Sequence, residues 1–483
     1  MKQTKNTLRK KISRRKFFSE ITAAGTMAGL YGFGRKYNIP LKNKKEEIPQ
    51  KGSLKTIRIK SVDSNFERDP LIRPFGFKGG YMTEIWQTAA LLETDSGYKE
   101  IGLCTQSVLW SDAEVFASHT ESAGNAIMYL MVEYALQKSK VTTFKNPIEL
   151  MENLLPDTYE YGKKITQNKN LRKTFALNAL LSLDNAAWLV YAKENEFKSF
   201  DEMIPESYRD GLSYKHKKIA SIPLMSYAVP ISEIKEAVDD GYFVMKIKIG
   251  QPGTQEEMLE KDKNRIEEIH KAIGDKKIPH TKDGKIPYYF DANGRYEKKE
   301  TLLRLLDHAE KIGALDQIVI IEEPFPEEYE VDVSDIGVRI AADESAHTDE
   351  DAEKRIQMGY SAIAVKAIAK TLSMTLKIIK VAHKHGIPCF CADLTVNPIL
   401  VDWNKNVAAR LAPFPELGLG LLETNGHQNY ANWDKMRSYH PCNGASWTIT
   451  KNGVFNLNDD FYQKSGGIFM QSDHYLNLFI KKK

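Results

Sequence analysis

Five short motifs with charged side chains follow one another in the middle of the chain. In chain order they are Lys246-Ile247-Lys248, Asp291-Ala292-Asn293, Glu322-Glu323-Pro324, Asp343-Glu344-Ser345 and Lys366. Each motif ends a short apolar run of the kind that forms a buried strand. The strand ends therefore carry a pair of lysines, then carboxylates, then a further lysine. Such a set can bind a hard cation between two bases, which indicates an active site.

Three carboxylates come from consecutive predicted strands, namely Asp291, Glu322 and Asp343. Oxygen ligands on rigid strand ends suit octahedral Mg²⁺, with Mn²⁺ as the alternative ion, and no nearby spacing of His or Cys favours zinc. A single acid at a strand end would more often cap a helix or pair with a surface lysine. Three of them on adjacent strands, flanked by lysines, predict a metal site.

The lysines have the spacing of paired general bases. Lys246 and Lys248 lie two apart on a strand, so their side chains share one face. Two ammonium groups near a divalent cation repel one another, and we expect the pKa of one of them to fall toward the range of a general base. Lys366 belongs to the sixth predicted strand, opposite the second. Two bases could thus reach opposite faces of one bound carbon, although a solvated surface charge is the alternative for Lys366 in particular.

The spacing of the motifs predicts a parallel barrel. Successive motifs lie 21 to 45 residues apart, about the length of a strand, a helix and a return loop. Helical patterns fill the gaps, for example over 256–273 and 349–358. Strand candidates at 222–228, 387–393 and 417–423 bring the number of strands to eight. Such a barrel places its chemistry at the carboxyl ends of its strands.

The remaining segments predict further units around the barrel domain, which we place at 215–430. Residues 56–210 predict an α+β domain, with a strand, loop and strand over 57–103 and helices over about 122–191. Its segments 71–78, with Phe75, Gly76 and Phe77, and 106–110, with Trp110, are expected to close the mouth of the barrel. The Lys- and Glu-rich residues 35–55 are interpreted as a linker. Residues 431–483 are expected to pack back on the first domain.

The N-terminus resembles a twin-arginine export signal. Residues 1–16 hold eight Lys or Arg and no acid, the pair Arg14-Arg15 precedes Phe17-Phe18, and an apolar segment follows. We predict that residues 1–34 are this signal and that the protein is periplasmic; a basic tail without a targeting role is the alternative. No run is apolar enough for a stable membrane span in the mature form.

Charge and cysteine content exclude other classes. The formal net charge of +4 arises from the N-terminal 34 residues, and the rest of the chain is slightly acidic, which gives no broad electrostatic basis for binding nucleic acid. The four cysteines are too few for a secreted disulfide scaffold. Cys389 and Cys391 lie two apart on one predicted strand and are interpreted as core or lining residues.

The order of these motifs, with the DAN, EEP and ADES sequences in place, resembles the enolase superfamily. Within it, the chain is similar to the subgroup of muconate-lactonising enzymes and dipeptide epimerases, which is mandelate racemase-like. The resemblance covers about 215–430 well and implies a modified TIM barrel, (β/α)7β, with an α+β N-terminal capping domain that the C-terminal segment completes. It also implies a homo-oligomer.

The resemblance assigns roles to the motif residues. It implies that a small-molecule carboxylate binds Mg²⁺, that a lysine removes its α-proton, and that the metal stabilises the resulting enediolate. Lys248 and Lys366 would be the two bases and Lys246 an electrostatic support. Asp291, Glu322 and Asp343 would be metal ligands, and Asn293 and Glu344 would hold ligands or lysine in place.

The substrate is less defined, because the chain departs from the subgroup at three strand ends. Lys366 is followed by Ala-Ile-Ala-Lys-Thr-Leu-Ser without the Gly-Gly of dipeptide epimerases, the eighth strand ends in Glu423-Thr-Asn rather than Asp-x-Asp, and the seventh ends in Asp393 rather than His. Asp393 and Glu423 are candidate substrate contacts or auxiliary acids, with helix capping as the alternative. Arg73 and Lys78 are candidates for binding a second anionic group.

Three functions remain open at this point. The leading hypothesis is an Mg²⁺-dependent racemase or epimerase, which needs two opposed bases. The second is a dehydratase (lyase) of acid sugars, in which one base and a general acid such as Asp393 suffice. The third is a non-catalytic periplasmic binding protein, which the complete set of bases and ligands disfavours.

Overall fold

The computed structural model describes residues 53–77, 80–281 and 283–480. The predicted export signal, most of the predicted linker and Lys78 lie outside these residues. The described chain forms an antiparallel sheet covered by helices, followed by a parallel barrel and a C-terminal segment. None of the helices in this part of the chain combines the length and apolarity that crossing a bilayer requires.

The first domain, called the capping domain below, contains a four-stranded antiparallel sheet in the order β3-β2-β1-β4. Its strands are β1 (Ile57–Phe77), β2 (Gly80–Thr94), β3 (Lys99–Gln106) and β4 (Thr143–Phe144). Its helices are α1 (Val108–Ser111), α2 (Ala113–Ser118), α3 (Glu121–Ser139), α4 (Pro147–Thr166), α5 (Lys173–Glu194), α6 (Phe200–Met203) and α7 (Glu206–Arg209).

The long hairpin of β1 and β2 corrects the predicted loop over 71–78. The antiparallel ladder continues to Phe77 opposite Gly80, with a register shift between Pro70 and Phe75. The shift follows from Pro70 and Pro74, which have no N–H to donate to the ladder. The aromatic segment is thus carried on a strand pair, and a strand pair positions side chains more rigidly than a loop.

Helix α5 fixes the capping domain against both its sheet and the barrel. It is apolar on all sides and buried along almost its whole length. Gly102 on β3 permits the close approach, because a Cβ there would lie 2.0 Å from the Ser182 carbonyl oxygen. On its opposite side the helix contacts the barrel, where the Trp188 indole donates to Ser373 Oγ at 3.1 Å.

The barrel is a closed ring of eight parallel strands. Its strands are β5 (Lys218–Ile222), β6 (Leu224–Met225), β7 (Met245–Lys248), β8 (Tyr288–Asp291), β9 (Ile318–Glu322), β10 (Ile340–Ala342), β11 (Ala362–Val365), β12 (Cys389–Cys391) and β13 (Gly420–Glu423). β5 and β6 are two halves of the first strand, interrupted at Pro223. The first half pairs with β13 and the second with β7, which closes the ring. The first strand starts earlier than the predicted segment 222–228.

Helices follow six of the first seven strands and cover the ring. They are α8 (Ile231–Asp239), α9 (Gln255–Ile273), α10 (Lys299–Lys311), α11 (Asp349–Gln357), α12 (Leu372–Lys384) and α13 (Pro398–Ala408), with only a loop after β9. Capping boxes at Thr254 with Glu257 and at Thr348 with Asp351 set the starts of α9 and α11. The short α14 (Gly426–Asn429) follows directly after β13, at the place where a regular barrel has its eighth long helix.

Small and large side chains share the interior of the barrel. Alanines lie in the interior at Ala341 on β10, Ala364 on β11 and Ala392 just after β12, and the large Tyr289 and Phe390 side chains pack in the same cluster. This interior supports the charged strand ends from below. The predicted modified TIM barrel is therefore confirmed as the fold.

The C-terminal segment contacts both domains. Its elements are α15 (Trp433–Ser438), β14 (Thr450–Lys451), β15 (Val454–Asn456), α16 (Asp459–Lys464) and α17 (Asp473–Asn477). β15 pairs antiparallel with β5 of the barrel. Asn432 donates to Asp69 at 2.6 Å, and His474 lies 2.7 Å from Glu67, both on β1.

Candidate active site

The five motifs meet at the carboxyl ends of β7 to β11 in one cavity beneath the capping domain. Its lining includes most of the predicted site residues: Lys246, Lys248, Asp291, Asn293, Asp343, Glu344, Lys366, Asp393 and Glu423. Glu322 lies directly behind this lining, fully buried and bonded to Lys246. Arg73 is exposed on the β1–β2 hairpin and is not among the lining residues, so the structure does not bring it to the cavity.

Lys246 is the centre of the charge network. Its Nζ lies 2.9 Å from Asp291 Oδ2, 2.9 Å from Glu322 Oε1 and 3.2 Å from Glu423 Oε2. Burial acts to lower the pKa of Lys246, but these three carboxylates outweigh it and raise the pKa well above its ordinary value. Lys246 is therefore a fixed positive charge at the centre of the three carboxylates.

Lys248 is held by the neighbouring strand end. Its Nζ donates to Asp291 Oδ2 at 2.6 Å and to Asn293 Oδ1 at 2.5 Å. The Asn293 amide group in turn donates to Glu344 Oε1 at 3.1 Å, and its backbone N–H donates to Asp291 Oδ1 at 3.0 Å. Asn293 has a positive φ of 46°, which an Asn tolerates better than most residues and which turns its side chain toward Lys248.

Lys366 enters from the other side of the mouth and forms an ion pair with Asp343. Asp343 also meets Lys370, whose Nζ donates to the Asp343 carbonyl at 2.6 Å and to the Ala346 carbonyl at 3.1 Å. Lys370 is fully buried and was not among the predicted site residues. It follows Lys366 by four residues in a turn outside any helix, so its spacing alone carried no signal.

The carboxylates behind these lysines can hold a divalent cation. Oxygens of Glu322, Asp343 and Glu344 lie within 4.8 Å of one another. Glu344 Oε2 is buried without a hydrogen-bond partner in the described residues, and all donors of the group are hard oxygens. These features fit Mg²⁺ or Mn²⁺. Asp291, the third predicted ligand, is connected to this group through Lys246, and Glu344 takes its place among the three nearest carboxylates.

The charge states of these acids follow from their partners. Burial opposes ionisation of Asp291 and Asp343, but the adjacent lysines hold the pKa of each carboxyl well below its ordinary value. Burial raises the pKa of Glu322 well above its ordinary value, and the charge of Asp291 adds to this effect. The Tyr289 hydroxyl donates to Glu322 Oε2. Tyr289 was not predicted as a site residue, although it lies two positions before Asp291 and must share its face of β8.

Glu323 fixes the loop that follows β10. Its Oε2 accepts from the Asp343 N–H at 2.8 Å, the Ser345 N–H at 3.1 Å and the Ser345 hydroxyl at 3.0 Å. Burial, reinforced by Glu344, raises the pKa of Glu323 to about 7. The second acid of the EEP motif therefore positions Asp343, while the first faces the cation group.

Asp393 and Glu423 form the third side of the cavity. The Asp393 N–H donates to Glu423 Oε2 at 3.0 Å, and the Asn425 N–H donates to Asp393 Oδ2 at 2.8 Å. Burial and the neighbouring Glu423 raise the pKa of Asp393 to about 7. The Asp393 carboxyl thus combines access to the cavity with a pKa suited to proton transfer.

Aromatic and apolar side chains of the capping domain cover the mouth. Phe75, Met82 and Trp110 line the cavity opposite the strand ends. The Trp110 ring lies over Lys366, with 4.5 Å between Nζ and the ring centroid. Such a cover excludes water from the lysines and strengthens the electrostatic interactions below it.

Comparison with known families agrees with this geometry. Residues 231–419 match the family model described as enolase C-terminal domain-like. No curated protein sequence matches the chain.

Solved structures share the fold at low sequence identity. A mandelate racemase/muconate lactonizing protein from Herpetosiphon aurantiacus is 16% identical with a TM-score of 0.58, covering 83% of this chain and 96% of that one. A dipeptide epimerase from Enterococcus faecalis V583, complexed with Mg and L-Leu-L-Tyr, is 17% identical with a TM-score of 0.58, covering 83% and 97%. An N-succinyl Arg/Lys racemase from Bacillus cereus ATCC 14579 is 16% identical with a TM-score of 0.54, covering 78% and 89%.

The family match and the structural likeness agree with the order of the strand-end motifs. Residues 231–419, most of the barrel domain, therefore match the enolase C-terminal domain-like family model, and the chain shares its fold with solved mandelate racemase/muconate lactonizing and dipeptide epimerase structures.

Proposed function

We propose that this protein is an enzyme that removes and returns the α-proton of a small carboxylate, with racemisation or epimerisation as the result. The observation that carries the proposal is the placement of two lysines. Lys248 ends the second strand of the ring and Lys366 follows the sixth, so they approach one cavity from opposite walls. Two opposed bases are what inversion of a carbon centre requires.

In this proposal, the strand-end carboxylates bind the substrate through a divalent cation. Glu322 and Asp343 would hold it together with Asp291 or Glu344, and the cation would stabilise the negative charge that develops on the substrate carboxylate. The donor set and the unpartnered Glu344 oxygen support this assignment of Mg²⁺.

Each of the two lysine amines would serve one face of the substrate carbon. In one direction Lys248 Nζ, positioned by Asn293, accepts the α-proton from one face of the carbon. Lys366 Nζ then gives a proton to the opposite face. Asp343 and other acids outweigh burial and raise the pKa of Lys366, so it carries the proton that this step requires. In the reverse direction the roles exchange.

The walls of the cavity support a substrate with an uncharged or cationic remainder. Asp393 and Glu423 supply carboxylates and Asn425 an amide on the barrel side, and Phe75 and Met82 supply apolar surface from the capping domain. Dipeptides and N-acyl amino acids carry this combination of groups. The solved dipeptide epimerase and N-succinyl amino acid racemase structures share the fold, which supports the choice of these compounds for a first screen.

Deuterium exchange at the α-carbon tests the proposal. The purified protein with Mg²⁺ in D₂O is screened by NMR against dipeptides, N-acyl amino acids and acid sugars. We expect exchange with the carbon skeleton intact, and Lys248→Ala and Lys366→Ala should each reduce epimerisation by about 10²- to 10⁴-fold. Each variant should still exchange the epimer whose proton faces the remaining lysine. Lys271→Ala on the exposed side of α9 controls for loss of positive charge.

A dehydratase is the second candidate, because Asp393 lines the cavity and burial raises its pKa to about 7. A general acid in this range can protonate a leaving hydroxyl. Loss of water from an acid sugar, abolished in Asp393→Asn, would support this reaction instead. Absence of exchange with every carboxylate, despite Mg²⁺ binding, would contradict both enzymes and favour a binding protein.

A further inference from the structure

Arg172 connects the capping domain to the barrel beside the cavity. It precedes helix α5, and its guanidinium group lies between the domains with 13% of the side chain exposed. One arm donates to the Trp110 carbonyl at 3.0 Å, and the other forms an ion pair with Glu327 of the loop after β9. The Arg172 side chain therefore touches both the cover of the cavity and the wall below it.

The same residue fixes the segment that carries Trp110. The Arg172 N–H donates to Asp112 Oδ2 at 3.0 Å, and Asp112 caps helix α2 through the Val115 N–H at 3.0 Å. The Trp110 indole N–H is buried without a hydrogen-bond partner in the described residues. The ring therefore has no polar anchor of its own there, and its position over Lys366 depends on packing and on the backbone that Arg172 holds.

Glu327 is a rigid partner on the barrel side. Its backbone carbonyl accepts from Arg355 of helix α11, and its carboxylate lies 3.3 Å from His347 Nε2 in the loop after β10. The loop after β9 begins directly after Glu322, and the loop after β10 carries Asp343. The ion pair thus joins the capping domain to the two loops nearest the candidate cation group.

We propose that the Arg172–Glu327 ion pair is a latch that closes the capping domain over the barrel and positions Trp110 on Lys366. This inference rests on the proposed function for its catalytic consequence, but not for its structural one. Arg172 is a positioning residue: it acts through Trp110, which shields the Lys366 ammonium group from water and offers it an aromatic face. Lys248, by contrast, is held by Asp291 and Asn293 within the barrel. Opening the latch should therefore impair proton transfer at Lys366 more than at Lys248.

The catalytic test compares the two faces of the substrate. Exchange of each epimer in D₂O is measured separately for Arg172→Gln, Arg172→Lys and Glu327→Gln. We expect exchange at the face served by Lys366 to fall roughly 10- to 100-fold, the effect of losing a charged hydrogen bond, and exchange at the other face to change by less than about 3-fold. Arg172→Lys should fall in between, since one ammonium group does not reproduce the two-armed contact.

The structural test needs no substrate. Amide hydrogen exchange over residues 108–116 should be faster in Arg172→Gln, with residues 249–251 on the opposite wall as an internal reference. Arg304→Gln breaks a surface Arg–Glu pair within the barrel and serves as the matched control variant. Amide exchange in the double variant Arg172→Gln/Glu327→Gln should be no faster than in Arg172→Gln alone, because the two changes break the same interaction.

The outcomes separate the latch from the proposed function. Unchanged amide protection in both Arg172→Gln and Glu327→Gln overturns the latch, as does an equal loss of exchange at the two faces. If amide exchange is faster in the variants but the protein exchanges the α-proton of no carboxylate, the latch stands and the proposed function is wrong. If Arg172→Gln fails to fold, Glu327→Gln alone carries the test, because it leaves the bond from Arg172 to the Trp110 carbonyl in place.

Discussion

Two turns at the mouth of the barrel are each held by one buried aspartate, but from different places. Asp262 on helix α9 accepts from the Gly250 N–H at 2.7 Å and the Gln251 N–H at 3.3 Å, in the turn that follows Lys248. Asp184 on helix α5 accepts from the Leu372 N–H at 2.8 Å and the Ser373 N–H at 3.2 Å, at the start of helix α12, directly after the turn that follows Lys366. The first aspartate belongs to the barrel and the second to the capping domain.

The difference has consequences for the two lysines. The turn after β7 is fixed by Asp262, which belongs to the helix that directly follows this turn. The barrel alone can therefore set the geometry of Lys248. The turn after β11 contains Thr371 with φ 68° and ψ 153°, a conformation that is costly for residues other than Gly. The capping domain supplies Asp184 just after it and Trp110 above it. The geometry of Lys366 therefore depends on domain closure, whereas that of Lys248 does not.

The largest expected effect is the pH dependence of stability at Asp184, the aspartate that the capping domain supplies. Burial raises its pKa from 3.8 to about 7, in spite of the hydrogen bonds from Ser373 and Leu372. The folded protein thus binds this proton more tightly than the unfolded chain. The stabilisation is complete below the unfolded pKa and is lost as the pH rises through about 7, by at most about 1.4 kcal/mol per pH unit.

Urea unfolding of the wild type and Asp184→Asn at pH 5 to 8 measures this effect. The Asn side chain resembles the protonated acid, so the stability of the wild type relative to the variant should decline as the pH rises. A difference that is independent of pH would mean that Asp184 does not titrate in this range. Asp262→Asn is the matched variant, because burial raises the pKa of Asp262 too, and its effect should have the same sign.

Mg²⁺ binding tests which wall supplies the third carboxylate. Thermal unfolding with and without Mg²⁺ should show a stabilisation of about 2.7 kcal/mol at a hundredfold excess over the Kd. Asp343→Asn should remove it. We expect Asp291→Asn to weaken it more than Glu344→Gln, because the adjacent lysines keep the Asp291 carboxylate ionised. The reverse order would assign the third ligand to the Lys366 wall.

Much of the fold could be predicted from the sequence because its signals are local. Five of the barrel strands are short apolar runs that lead directly into the charged motifs, and the distance between motifs leaves room for one helix. The convergence of Lys248, Asp291 and Asn293 follows directly, since they end adjacent parallel strands.

The contacts that the sequence did not reveal join residues far apart in the chain. Asp184 lies 188 residues from Leu372, and Arg172 lies 155 residues from Glu327. Asp184 and Arg172 are charged residues in or beside a largely apolar helix. This position marks each of them as unusual, but it does not reveal the partner. Arg73 failed as a candidate for the opposite reason: its position beside an aromatic segment suggested a loop over the mouth, whereas the hairpin directs it to solvent.

The smallest expected effect comes from Tyr289→Phe, which acts on neither wall alone. Tyr289 stands on β8, donates its hydroxyl proton to Glu322, and places its ring 5.3 Å from Lys246 Nζ. Removing the Tyr289 hydroxyl should lower the free energy of unfolding by about 1 kcal/mol, the typical net contribution of one hydrogen bond. Glu322 and Lys246 lie between the two proposed bases, Lys248 and Lys366. Exchange of both epimers should therefore slow by a similar factor. A one-sided effect in this variant would contradict the division of the mouth into a wall built by the barrel and a wall completed by the capping domain.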